Sequence, residues 1–294
     1  MIKNNFISIF IFSVLTSCLT FAQNSLDTTI TEDRVNQSDL KEDVLQSFGK
    51  GRRSDASHAV NRGMLATGLT PKFDESLEGR GIDDYWAMDY SHKRGREAYH
   101  GGIDIPAPQG TPILAVAKGV VVAKFMNENN PKGIELVLRH SPKDSGLPMW
   151  TYTQYTHLLE MPVFEIGQKI NMGDVIGKTS NTGMSGKKTR EKYGKKKKSK
   201  RKNRPEKVRR HALHLGAMYS SSKKYMNNEK MLVPVDAFWM DPNALYKKTA
   251  PYDSVSLKAL SKSQKQILIP CMLNSGETVP KDTKLVWPYM CKEK

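Results

Sequence analysis

Residues 100–122 read HGGIDIPAPQGTPILAVAKGVVV. Within and just beyond this stretch, two short runs rich in Val, Ile and Ala, 113–117 and 120–125, are separated by Lys118-Gly119 and preceded by Pro and Gly punctuation. That is the pattern of strands joined by tight turns. The same texture continues through 134–139, 150–155 and 213–219, with turn signals at Pro131-Lys132-Gly133 and Met172-Gly173-Asp174. No helical pattern of about 10–15 residues lies between these runs, so βαβ units are not expected. The predicted fold is mainly β, built on an antiparallel sheet.

Working outward, the chain of 294 residues has room for one large domain with extensions or two small ones, at roughly 150 residues per domain. Its 38% hydrophobic content is enough to bury a core, which excludes wholesale disorder. Cys18, Cys271 and Cys291 occur singly, so a disulfide scaffold and a CxxC metal ribbon are both excluded. Any metal must then be held by His and carboxylate.

Residues 1–22 carry Lys3, an apolar stretch and small residues after it, the pattern of an export signal and too short to span a bilayer comfortably. Two exits fit: cleavage after Ala22, or a lipobox-like Leu15-Thr16-Ser17-Cys18 with a lipid anchor on Cys18. The expected location is therefore exported, periplasmic or in the cell envelope, with a lipoprotein as one form. Export leaves Cys271 and Cys291 either bonded, closing a short loop, or as two thiols in a poorly ordered tail. Residues 23–77 read as a polar linker or arm, partly helical where Leu40, Val44, Leu45 and Phe48 recur at helical spacing. A domain is expected over 78–247 and a tail over 248–294.

Five of the seven histidines, at 100, 140, 157, 211 and 214, fall in the β-rich region. His100 and Asp104 would stand roughly 13 Å apart on a straight strand at about 3.3 Å per residue, too far to share an ion. A kink permitted by Gly101-Gly102 would bring them together. His157 ends a strand in Tyr155-Thr156-His157-Leu158, and His214 lies in the alternating HALHLGAM at 211–218. Two imidazoles and a carboxylate from separate segments make a three-ligand zinc site with an open fourth position for water. A further imidazole beside that water could move protons or stabilise an oxyanion.

These residues resemble the lysostaphin-type (LytM-like) zinc metallopeptidases. The resemblance runs through HGGIDIPAPQGTPILAVAKGVVV, YTHLLEMPVFEIGQKINMGDVIGKTSNTG at 155–183 and LHLGA at 213–217, and ends near MDPNALY at 240–246. It implies a duplicated hybrid motif fold, one zinc ion held by His100, Asp104 and His214, and catalytic roles for His157 and His211. The implied function is an exported zinc metalloendopeptidase acting on peptidoglycan peptides. His140 matches a position where a histidine is frequent in the family without being a ligand, and reads as structural.

Two departures stand out. The family usually carries His-x-His, but the residue two before His214 is Ala212, and His211 is three before, facing away on a regular strand. A one-residue bulge would swing His211 back. Without it the site lacks one imidazole, which is the basis for an alternative: an impaired, wall-binding protein that activates other wall hydrolases. The second departure is an insertion at 187–210 with 15 Lys or Arg against two acids, a net +13 of the chain's +16. It reads as a solvated loop or as an anchor for anionic envelope polymers. Tyr193 is its only aromatic residue for base stacking, and export also argues against nucleic acid.

Overall fold

The computed structural model describes residues 26, 28–49, 55–82, 90–93, 96–127, 131–183, 210–228 and 230–294. The export signal with Cys18 and all of the basic insertion except Arg210 lie outside the described residues. The protein is mainly β. Its central sheet has seven strands: β1 (Ile103–Pro106), β2 (Gly119–Asn127), β3 (Gly133–His140), β4 (Trp150–Thr156), β5 (Lys169–Ile170), β6 (Ala212–Ser220) and β7 (Phe238–Met240). The order is β5-β2-β3-β4-β6-β7, with β1 also on β6, and every pairing is antiparallel.

Residues 113–117, expected as one strand, divide. Pro112–Leu114 pairs with Val175–Lys178, while Ala115 to Ala117 leave the ladder and stay fully buried. Their amides find other acceptors: Ala115 N–H donates to Asp174 O and Val116 N–H to Tyr155 Oη. Buried amides must be satisfied somewhere, and here a tyrosine hydroxyl from the sheet does it.

Strand β3 is buried at all its positions, because layers cover both faces, so its charged members need partners. Arg139 finds one in the N-terminal segment, where Asp33, itself buried, accepts from Arg139 Nη1 at 2.6 Å and from Lys223 Nζ at 2.9 Å. Arg34–Val35 then adds in parallel to Tyr225–Asn227. The expected helical stretch forms helix α1 (Glu42–Phe48), and Leu40 and Val44 pack with Met226, Val233 and Ala237. Of the two readings, linker or arm, the described residues of this segment form a docked arm, with Asp33 committed to a buried ion pair.

The C-terminal residues are also built in. Trp287 and Tyr289 join the main core. Trp287 Nε1–H donates to Arg80 O at 2.7 Å, and Thr179 Oγ1 lies 2.6 Å from Tyr289 Oη. Cys271 and Cys291 are joined by a disulfide, Cα atoms 5.7 Å apart. The two cysteines are 20 residues apart in sequence, and closing a loop of that length removes about 3 kcal/mol of chain entropy from the unfolded state.

Candidate metal centre

The site begins with one row across the sheet. His214 on β6 stands directly opposite Asp104 on β1 and, at its other edge, opposite Thr156 on β4. Residues opposite each other in an antiparallel ladder share a face, so the ladder register alone sets Asp104 and His214 side by side.

His100 reaches them through Gly101-Gly102. Neither glycine is among those with positive φ, so the pair is not used for left-handed backbone, as a kink of that kind would require. It is used for close approach: a Cβ on Gly102 would lie 2.3 Å from Leu215 O and 2.8 Å from His214 Nε2. Only glycine lets the turn lie against β6 at this point.

The three donor atoms converge. His214 Nδ1 is 2.8 Å and His100 Nε2 3.1 Å from Asp104 Oδ1, and the two nitrogens are 2.9 Å apart. Among the described residues this is the cluster that could hold a metal ion, and it is largely buried. Two ring nitrogens at that distance share either a hydrogen-bonding proton or a cation. The edges are a few tenths of an ångström below the roughly 3.3 Å spacing of tetrahedral ligands at about 2.0–2.1 Å from zinc. Burial alone would raise the Asp104 carboxyl, but His100 and His214 outweigh it and hold it well below the usual carboxylate range. The carboxylate is therefore ionised, as a metal ligand must be. The two-nitrogen, one-oxygen donor set fits a catalytic zinc.

His157 follows Thr156, and on a continuing strand it would point to the opposite face. Its φ of 65° turns it back, so its ring centroid lies 6.1 Å from that of His214. A non-glycine residue in this conformation costs on the order of 1–3 kcal/mol and persists where its surroundings hold it. Here its N–H donates to Lys132 O at 3.1 Å and its Nδ1–H to Thr182 O at 3.0 Å. A carbonyl can only accept, so the neutral ring carries its basic lone pair on Nε2. Thr182 is itself clamped, donating to Leu158 O at 2.8 Å and accepting from Ile134 N–H. Residue-level reasoning missed Thr182 in this role, although it stands in the quoted NTG turn.

His211 stands outside the cluster of three. It directly precedes β6, and the β1–β6 register runs unbroken from Ala212 to Leu215, so a bulge that would swing it back does not form within that span. The His211 Nδ1 is buried without a hydrogen-bond partner among the described residues. His140 is buried away from the metal cluster. Its Nδ1–H donates to Lys118 O, its Nε2 lies 2.8 Å from Thr153 Oγ1, and burial pushes its pKa down to about 4.

Residues 98–200 match the model of peptidase family M23, on the stretch whose motifs resemble the lysostaphin-type enzymes. An uncharacterized metalloprotease of Buchnera aphidicola is 38% identical over 87 residues, 29% of this chain and 20% of its own. The peptidoglycan DD-endopeptidase ShyA of Vibrio cholerae is 39% identical over 90 residues, 30% of this chain and 18% of its own. The chain thus spans about a fifth of the length of these relatives. The solved structure of LytU aligns over 50% of this chain and 79% of its own, at 24% identity and a TM-score of 0.33.

Proposed function

We propose, taking the family M23 match at residues 98–200 as premise, that the protein is an exported zinc metalloendopeptidase that hydrolyses peptide bonds in peptidoglycan. The observation that carries the reading is the convergence of His100 Nε2, Asp104 Oδ1 and His214 Nδ1 within 3.1 Å of one another. These three residues would hold one zinc, which when bound supplies Lewis acidity toward water and the scissile carbonyl. The remaining work belongs to the chain. His157, fixed through Nδ1 by Thr182, accepts the proton of the attacking water at Nε2 as the new C–O bond forms. It returns that proton to the leaving amine as the C–N bond breaks. His211 is the second candidate for proton handling, since its buried Nδ1, without a partner among the described residues, is one that a bound group would satisfy.

Proposed partners are the peptides of peptidoglycan, with anionic envelope polymers on the basic insertion and a membrane only through a lipid on Cys18. The test is metal content and turnover. The purified chain is expected to carry about one equivalent of zinc and to cleave peptidoglycan, with activity removed by a chelator and restored by zinc.

Ala212 supports a second reading, a wall-binding protein that activates other hydrolases. It stands on the site face of β6, where the family carries an imidazole, with no bulge between it and Leu215. Zinc-dependent turnover by the isolated chain would exclude a purely regulatory role; zinc binding without turnover would favour it.

A further inference from the structure

A wall made of Trp239 from β7 and residues of the N-terminal segment stands behind His100. A Cβ on Gly101 would lie 2.5 Å from Trp239 Cζ3 and 3.0 Å from Met64 Cε, so the β7 indole and Met64 abut the peptide next to the first ligand of the cluster. The indole is held from its other side by α1. Phe48 stacks on Trp239 at a ring-centroid distance of 4.3 Å and an interplanar angle of 15°, and Trp239 Nε1–H donates to Ser47 Oγ at 3.1 Å. The main chain of Trp239 is tied as well, its N–H donating to Arg62 O at 2.7 Å.

A second line runs through Met64. Its carbonyl accepts from Ser91 Oγ at 3.0 Å, and Ser91 stands opposite His100 in the hairpin of Ser91–Lys93 with Arg96–His100. Ser91 Oγ in turn accepts from Ala98 N–H, two residues before His100, while Tyr90 Oη donates to Gly63 O. Two chains of contact, which share Met64, therefore lead from the N-terminal segment to the strand and turn that carry one ligand.

We infer that Phe48, Trp239 and Met64 are positioning residues of the metal centre, and that docking of α1 with residues 55–64 sets the metal affinity of His100. Asp104 and His214 are placed by the β1–β6 ladder. His100 has no such ladder to them, and its position comes from the wall. Trp239 also pairs with Met218 on β6, four residues beyond His214, so lifting α1 off Trp239 loosens His100 first and bears on His214 only through that ladder. The inference rests on the metallopeptidase reading for its metal, but not for the coupling itself.

The experiment uses the full chain, titrated with zinc after metal removal, together with amide hydrogen exchange at Gly101 and Gly102 in the metal-free protein. Phe48→Ala is expected to weaken zinc binding about tenfold or more, the usual scale for residues that orient ligands, and to speed exchange at both glycines. Phe48→Tyr, which keeps the stack, is expected to restore both readouts. Folded Phe48→Ala that binds zinc as tightly as the parent and exchanges at the parent rate would overturn the inference. Should Phe48→Ala fail to fold, Ser47→Ala decides, since it removes one hydrogen bond to the indole and no ring. Faster exchange at Gly101 is expected, and an unchanged rate sinks the coupling. If the parent binds no zinc the metallopeptidase reading fails, while the exchange rates still judge the coupling.

Discussion

Asp104 and His214 face each other across one rung of the β1–β6 ladder, with His214 Nδ1 2.8 Å from Asp104 Oδ1. Their side chains are brought together by backbone pairing, so the pair is rigid before any ligand arrives. Substituting either should therefore abolish metal binding without disturbing the sheet. Asp104→Asn keeps the shape and removes the charge; zinc affinity is expected to fall by more than the roughly 10- to 100-fold seen for orienting residues. Metal content after gel filtration, with circular dichroism as the control for folding, reads the result. Stoichiometric zinc in Asp104→Asn would remove Asp104 from the ligand set.

His157→Ala addresses the proton step. Its ring faces His214 at 6.1 Å but lies outside the metal-ligating cluster. The variant should keep its zinc while kcat on peptidoglycan falls about 10²- to 10⁴-fold. Unchanged kcat would remove His157 from the mechanism.

His140 yields a pH prediction. Its pKa is about 4 in the folded protein, against 6.5 for the ordinary side chain, because burial disfavours the cation. The fold thus prefers neutral His140. That contribution is fully present above pH 6.5 and is lost progressively as pH falls toward 4, amounting to roughly 3 kcal/mol across the window. His140→Gln, which can still donate and accept, should show a shallower loss. Urea unfolding of both proteins at several pH values between 4 and 7 checks it, and parallel curves would count against the assignment.

The ion pair of Asp33 with Arg139 predicts that the N-terminal segment is a structural part of the domain. Both partners are almost fully buried. Asp33→Ala leaves the guanidinium in the interior opposite its lost carboxylate, and the expected cost is about 3–5 kcal/mol. Replacing both residues with apolar ones should recover much of this. Chemical denaturation of the single and double variants measures it, and a neutral Asp33→Ala would mean that the segment undocks at little cost.

Much of the sheet was legible because its signals are local. Turn residues at Lys118-Gly119 and Pro131-Lys132-Gly133 bracket apolar runs, and four of the five expected strands form with ends shifted by one or two residues. The fifth ended after Leu114, where the Ala115 and Val116 amides turn to Asp174 O and to a tyrosine hydroxyl from another strand, contacts that no local pattern encodes. The polar composition of the N-terminal segment leaves linker and docked arm both open, because the partner that buries Asp33 lies 106 residues further on.

What the sequence by itself determined is the chemistry available: which residues carry metal-binding lone pairs, which glycines permit close approach, and where strands must turn. These follow from covalent structure and short-range sterics. Tertiary structure decided what that chemistry can do together. His214 meets Asp104 through a ladder register spanning 110 residues. His157 is turned to the site by a positive φ that Lys132 and Thr182 surround, and His100 is backed by Trp239 and Met64. Each depends on packing between segments far apart in the chain, and distance along the chain carries no record of which ones will meet.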